Sequence, residues 1–236
     1  MAYVYSRARK IYRSAVKDLL LSSREADTKS CTSARVQKLA HASAVIITST
    51  KVESYLENLI LDWGAAIGTG NFTVAALPKE TRAFLLNGTG IRNAYRKLLL
   101  VEHGERDFLR LASAQIGPEG EYRFAVDATV IGAGHLRSII QEVKYPSETN
   151  VKKLFSRCGL NDIFAACNAV AKRDVLPLHT SFSDLRTEIA HEGLPVGING
   201  KDIRDRIQEI STLIGYFDRA FYKHSNSLFG PSAWTV

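Results

Sequence analysis

The chain has 236 residues, enough to bury one substantial hydrophobic core, and 45% hydrophobic with 23% charged residues is a composition typical of globular proteins. Its apolar runs are far shorter than the roughly 20 residues that a membrane helix needs, so we expect no membrane partner. The formal net charge of +7 favours an anionic partner, and charge alone allows RNA, DNA or a lipid surface.

The beginning of the chain and its cysteines bear on the cellular compartment. Residues 1–10 are basic but lack the apolar segment of a secretory signal peptide. Cys31, Cys158 and Cys167 form an odd set without the close spacing of a metal site. We therefore expect a cytoplasmic protein in which the cysteines are small residues on helices.

Hydrophobic periodicity and the long stretches without proline favour helices throughout. The pattern predicts helices over residues 3–22, 33–67, 79–86, 91–114, 148–157, 161–172, 183–192 and 202–223. Because no repeat or low-complexity linker interrupts them, we expect one all-α domain over residues 1–236, built as a helical bundle.

Residues 117–134 depart from this pattern. Strand-forming residues lie there between glycine-rich turns, which predicts a small non-helical insertion such as a β-hairpin. The insertion ends in Gly132-Ala133-Gly134 before the helix-like residues 136–143, an order that imitates a nucleotide-binding turn. Arg137 stands where a third glycine would be needed, so a plain turn is favoured.

The spacing of arginine and histidine gives the first candidate for chemistry. Five of the six histidines follow an arginine with four to six residues between them, so spacing alone does not select a pair. Local sequence favours structural or surface roles for four of the pairs: Arg35 with His41 on a packed helix, Arg96 with His103 on a charged solvated face, Arg173 with His179 separated by Pro177, and Arg219 with His224 at a fraying helix end.

The fifth pair, Arg186 and His191, lies on a short amphipathic helix for which residues 181 and 184 predict a capping box and Gly193 predicts the end. Arginine is a permanent cation suited to phosphate oxygens, and histidine can exchange a proton near neutral pH. On an ideal helix the two side chains point about 140° apart. They converge only if the helix loosens before Gly193 or a ligand bridges them.

Residues 185–191 (LRTEIAH) resemble the arginine-to-histidine motif of the HEPN superfamily, in particular the RiboL-PSP-HEPN branch of bacterial proteins. The likeness extends to residues 41–57 and 150–163. Thr187 stands where the family commonly has asparagine or another polar residue, and Glu192 where it often has glycine. We take both as supporting residues of the site, and Glu53, on the early helix, as a partner that orients Arg186.

The resemblance implies a symmetric homodimer that cleaves RNA as an endoribonuclease without metal or cofactor, with Arg186 and His191 catalytic. It also implies a bacterial toxin or antiviral defence system, with an antitoxin or defence protein as partner.

Three alternatives stay open at this point. The chain could be an inactive HEPN module that binds RNA, a nucleotide or a protein. It could be a helical DNA-binding protein with residues 201–206 in its recognition helix. Glu102, His103, Glu105 and Asp107 could in principle collect a cation, but their adjacent spacing scatters them around a helix, so a solvated face is favoured over a metal site.

Overall fold

The computed structural model describes residues 2–28, 33–86, 105, 106, 109, 131, 135–140 and 147–235, and these ranges contain helices and no strand. The all-α prediction is confirmed. The α-helices are α1 (Arg7–Ala26), α2 (Ala34–Thr69), α3 (Lys79–Leu86), α4 (Glu148–Arg157), α5 (Ile163–Ala171), α6 (Leu176–Glu192) and α7 (Gly200–Phe229), with 3₁₀ turns at Val74–Ala76, His135–Ile140 and Pro231–Ala233.

Two predicted helices differ from their expected limits by more than the others do. The helix predicted over residues 183–192 begins at Leu176, because Pro177 lies in its first turn, where a missing N–H costs nothing. The predicted capping box is therefore wrong: the Ser181 hydroxyl lies inside the helix and donates to the carbonyl of Pro177 at 2.7 Å. The last long helix was predicted to end at residue 223 and continues to Phe229.

Several predictions fall outside the described residues. They concern the helix over residues 91–114 apart from residues 105, 106 and 109, the insertion over residues 117–134 apart from Ile131, and Cys31. Of the helix-like residues 136–143, those up to residue 140 form a 3₁₀ turn.

The core is organised by the two longest helices. α1 packs against both α2 and α7, while α5 and α6 pack on α7. Trp63 of α2 is 1% exposed and meets the ring of Phe221 of α7 edge-on, with 5.6 Å between centroids. Burial of such large rings supplies much of the driving force for this packing. In the described part of the chain, no helix has both the length and the apolar composition needed to cross a bilayer.

A buried carboxylate ties the first residues of the chain to α2 and α7. Asp218 of α7 is 0% exposed; its Oδ2 accepts from the Tyr3 hydroxyl at 2.6 Å and from the Ser6 N–H at 3.2 Å. Its Oδ1 accepts from the Tyr55 hydroxyl at 3.2 Å and from the Ser6 hydroxyl. Burial, reinforced by the carboxylate, raises the pKa of Tyr3 and of Tyr55, so both phenols stay protonated donors.

The earliest and latest described segments also meet. The Arg7 N–H donates to the carbonyl of Thr235 at 3.1 Å, and the indole N–H of Trp234 donates to the carbonyl of Val4 at 2.9 Å. The Trp234 ring packs edge-on against Tyr222 of α7, with 5.2 Å between centroids. These contacts hold the start of α1 against the end of α7.

Candidate functional site

Helix α6 carries Arg186 into a small pocket at its junction with α2 and α7. Leu185 and Ile189, one turn apart, are both buried and fix α6 to the core, as the sequence predicted. The pocket has a volume of about 140 Å³ and is lined by Ser49, Val52, Ser147, His179, Phe182, Ser183, Arg186, Thr187 and Ile210. Arg186 is therefore a partly exposed cation in a recess that contains three serine side chains.

His191 lies outside this pocket. It is exposed in the last turn of α6, and the helix stays regular to its end, where the Gly193 N–H donates to the carbonyl of Ile189 at 3.1 Å. The helix therefore does not loosen before Gly193, which was one of the two conditions under which the side chains could converge. Five residues of regular helix separate Arg186 from His191 by about 7.5 Å along the axis, on faces about 140° apart. Within one protomer, the two side chains do not converge.

His179 is the histidine that shares the pocket with Arg186. Seven residues of α6 separate them, so they lie within about 20° of the same helix face. His179 is 4% exposed, and its ring meets Phe164 edge-on with 5.6 Å between centroids. His179 was not predicted as a site residue, because Pro177 separates it from Arg173. The two-turn spacing to Arg186 is the signal that could have found it.

The supporting residues occupy different positions around the pocket. Thr187 lines it, although its hydroxyl donates to the carbonyl of Ser183 at 2.9 Å and so is committed within the helix. Glu53 lies one turn beyond Ser49 on α2, beside the pocket but outside its lining. Glu192 is exposed next to His191. The structure thus brings Thr187 to Arg186 and leaves Glu192 at the end of α6.

His41 is buried, which confirms its predicted packing role. Its Nδ1 lies 3.1 Å from the Ser23 hydroxyl, and its Nε2 lies 2.9 Å from Asp27 Oδ1. Burial acts to raise the pKa of Asp27, but hydrogen bonds from Arg204 and His41 outweigh it and lower that pKa. Serine, histidine and aspartate here have the order of a hydrolase triad. Ser23 is only 1% exposed, so the cluster joins helices and offers no accessible nucleophile.

His224 was predicted to have a surface role at a fraying helix end, and that prediction is wrong. It lies within α7, five residues before the last residue of the helix, is half-buried, and stacks on the ring of Phe221. Its Nε2 lies 2.9 Å from the carbonyl oxygen of Cys158 and donates to it. Burial lowers the pKa of His224, which favours the neutral ring.

Glu105 also differs from its predicted role on a solvated face. It forms a two-point ion pair with Arg157, whose side chain is fully buried, with Nε 2.6 Å from Oε1 and Nη2 3.2 Å from Oε2. Lys153 lies 2.8 Å from the same carboxylate. Burial opposes the charge, but the two cations lower the pKa of Glu105. Glu102, His103 and Asp107 lie outside the described residues, and within those residues no three potential ligands are grouped to hold a metal ion.

Cys158 and Cys167 are buried, as expected for small residues in a helical core. Burial raises the pKa of both thiols, so neither is a ready nucleophile.

The predicted recognition helix over residues 201–206 does not present a row of free cations. Arg204 turns inward and binds Asp27, while Arg206 pairs with Glu209 at 2.8 Å. Only Lys201 remains as an exposed cation of that segment without an ion pair among the described residues. This arrangement disfavours the insertion of α7 into a DNA groove.

Comparisons with protein-family models, with curated proteins and with solved structures found no match to this chain.

Proposed function

We propose that the protein is a HEPN-type, metal-independent endoribonuclease that acts as a homodimer. The observation that carries the proposal is the placement of two groups on one rigid helix: a recessed arginine, Arg186, and a solvent-exposed histidine, His191, at the helix end. Their similarity to the HEPN motif gives the pair a chemical role. The positive net charge of the chain suits an RNA substrate.

The chemistry requires a base, an acid and a charge stabiliser. His191 would accept the proton of an RNA 2′-hydroxyl as its oxygen attacks the adjacent phosphorus. Arg186 would stabilise the negative charge that develops on the phosphoryl oxygens. As the bond from phosphorus to the 5′-oxygen breaks, His191 of a second copy, or water, would protonate that oxygen. The products would carry a 2′,3′-cyclic phosphate and a 5′-hydroxyl.

The geometry of α6 gives a physical reason for the dimer. Because Arg186 and His191 point to different faces of a regular helix, a single protomer cannot direct both at one phosphate. A twofold axis that brings the two copies of α6 face to face would give one site two arginines and two histidines.

We therefore expect the protein to be a homodimer in solution at micromolar concentration. Light scattering coupled to gel filtration measures the mass, and RNA cleavage is assayed on the same fractions. A monomer with full ribonuclease activity would contradict the composite site.

The test of the activity is cleavage of a labelled single-stranded RNA by purified protein in the presence of a chelator. We expect cleavage to persist, because the proposed proton transfers use histidine and water and no metal ion. Mass spectrometry of the fragments should find cyclic phosphate ends. Loss of cleavage on chelation, restored by Mg²⁺ or Mn²⁺, would contradict this mechanism.

A second candidate is a catalytically inactive HEPN module that binds RNA, a nucleotide or a partner protein. The observation in its favour is that Arg186 shares its pocket with the buried His179 and not with His191. Binding of RNA without cleavage under any metal condition would favour this candidate. In either case we place the protein in the cytoplasm, in a bacterial toxin or antiviral defence system with an antitoxin or other partner.

A further inference from the structure

A second recess lies away from Arg186, in the furrow between α1 and α7. Its volume is about 660 Å³, more than four times that of the Arg186 pocket, and the two share no lining residue. Its lining includes five cations, and no aspartate or glutamate among the described residues: Arg9, Arg13, Lys17, Arg24 and Arg219.

Helix α1 carries more than half of the chain's formal net charge. Helix α1 contains six arginines and lysines and two carboxylates, so it contributes a net +4 to the chain's +7. Arg9, Arg13 and Lys17 follow one another at four-residue intervals, which places them on one face about 6 Å apart along the helix. The wall formed by α7 adds Arg219 and the exposed amide of Gln208. The cations therefore form a track and not a single point of charge.

Tyrosine rings, and not carboxylates, hold three of these cations in place. The guanidinium carbons of Arg9 and Arg13 lie 4.0 and 5.0 Å from the ring centroid of Tyr5, and that of Arg219 lies 5.3 Å from the centroid of Tyr3. An aromatic ring attracts a cation without cancelling its charge, whereas an ion pair cancels it. None of the five cations lies within ion-pair distance of a carboxylate among the described residues. The groove therefore keeps its positive charge available to a ligand.

Arg9 is also held by a hydrogen bond and by close packing against α7. Its Nη1 donates to the Tyr3 hydroxyl, which in turn donates to the buried carboxylate of Asp218. On the opposite wall stands Gly215, where a Cβ atom would come within 2.7 Å of an Arg9 terminal nitrogen. The absence of a side chain at Gly215 thus makes room for the guanidinium against α7.

We propose that the groove between α1 and α7 binds the phosphodiester backbone of single-stranded nucleic acid. A row of cations with partly exposed tyrosines, Tyr5 and Tyr216, is the combination that single-strand-binding grooves use. The bases of a single strand are free to stack on such rings, whereas the bases of a duplex are already stacked on one another. The choice of RNA over DNA as the physiological ligand rests on the proposed function. The binding of a phosphodiester backbone in the groove does not rest on it.

The test measures binding separately from cleavage. A fluorescent oligouridine of about 12 nucleotides, with 2′-O-methyl groups so that no 2′-hydroxyl can attack, is titrated with protein over a series of salt concentrations. The matching deoxyribonucleotide is the second probe. The groove variant Arg13→Gln/Lys17→Gln is compared with the control Arg173→Gln/Lys201→Gln. All four side chains are exposed, and each double variant lowers the net charge from +7 to +5.

We expect the control variant to bind each oligonucleotide as tightly as the wild type does. The groove variant should bind at least about tenfold more weakly. The plot of log affinity against log salt concentration should become less steep by about 1.4, as expected for two lost contacts to a single strand. Equal loss in both double variants, undetectable binding by the wild type, or equally tight binding of polyglutamate or of phosphatidylserine vesicles would overturn the proposal. Groove-dependent binding by a protein that cleaves no RNA would support the groove and contradict only the ribonuclease.

Discussion

Replacement of His191 by alanine is expected to lower the rate of RNA cleavage by about 10²- to 10⁴-fold, the usual contribution of a general acid or base. The fold should be unaffected, because His191 is exposed at the end of α6. The measurement is single-turnover cleavage of a labelled RNA, together with a thermal melt of the variant.

Two further variants on α6 test whether the loss of cleavage is specific to His191. Glu188→Ala changes an exposed residue one turn before Glu192 and should cleave as the wild type does. His179→Asn changes the histidine that shares the pocket with Arg186. If His179→Asn abolished cleavage in a protein that still folds while His191→Ala did not, the catalytic histidine would be His179. Full activity in both variants would contradict a histidine mechanism on α6.

Asp218→Asn should lower the free energy of unfolding by about 3 kcal/mol. The carboxylate accepts four hydrogen bonds from Tyr3, Ser6 and Tyr55, two at each oxygen. An asparagine must point its NH₂ group at one pair of donors, which leaves those donors buried without an acceptor. A loss of this size corresponds to a melting temperature lower by about 6–12 °C in a chain of this length.

Asp205→Asn is the matched control for this prediction. Asp205 is on the same helix but exposed, so the same change of charge there should alter the free energy of unfolding by less than about 0.5 kcal/mol. Urea unfolding followed by circular dichroism measures both variants. Equal stability of the two would mean that the buried carboxylate contributes nothing beyond its charge.

The sequence predicted the helical class, and it predicted the limits of α3 and α4 as they stand. These properties follow from short-range patterns: the period of apolar residues, and a serine before the first turn of α4. The start of α6 was missed because Pro177 was treated as a helix breaker, whereas a proline in the first turn is tolerated. Whether a proline breaks a helix or is tolerated in it depends on its position within the helix.

The candidate site was predictable only in part. Leu185 and Ile189 anchor α6 as their spacing suggested, and that packing directs Arg186 toward α2 and α7. The partners of His224 and Glu105 could not be predicted, since they lie 66 and 52 residues away in sequence. The groove was missed for a related reason. Its cations come from two helices, and the tyrosine that holds Arg219 lies near the other end of the chain.

The contacts of residues 3–7 with α7 and the residues after it bear on when the groove between α1 and α7 can form during synthesis. Residues 3–7, at and just before the start of α1, are synthesised well before α7, yet their partners Asp218, Trp234 and Thr235 are made more than 200 residues later. Contacts so distant in sequence close late, because the intervening chain must first be ordered. A nascent chain exposes the cations of α1 without their second wall. The groove is completed only when translation has delivered α7, so a product terminated before that helix would lack it.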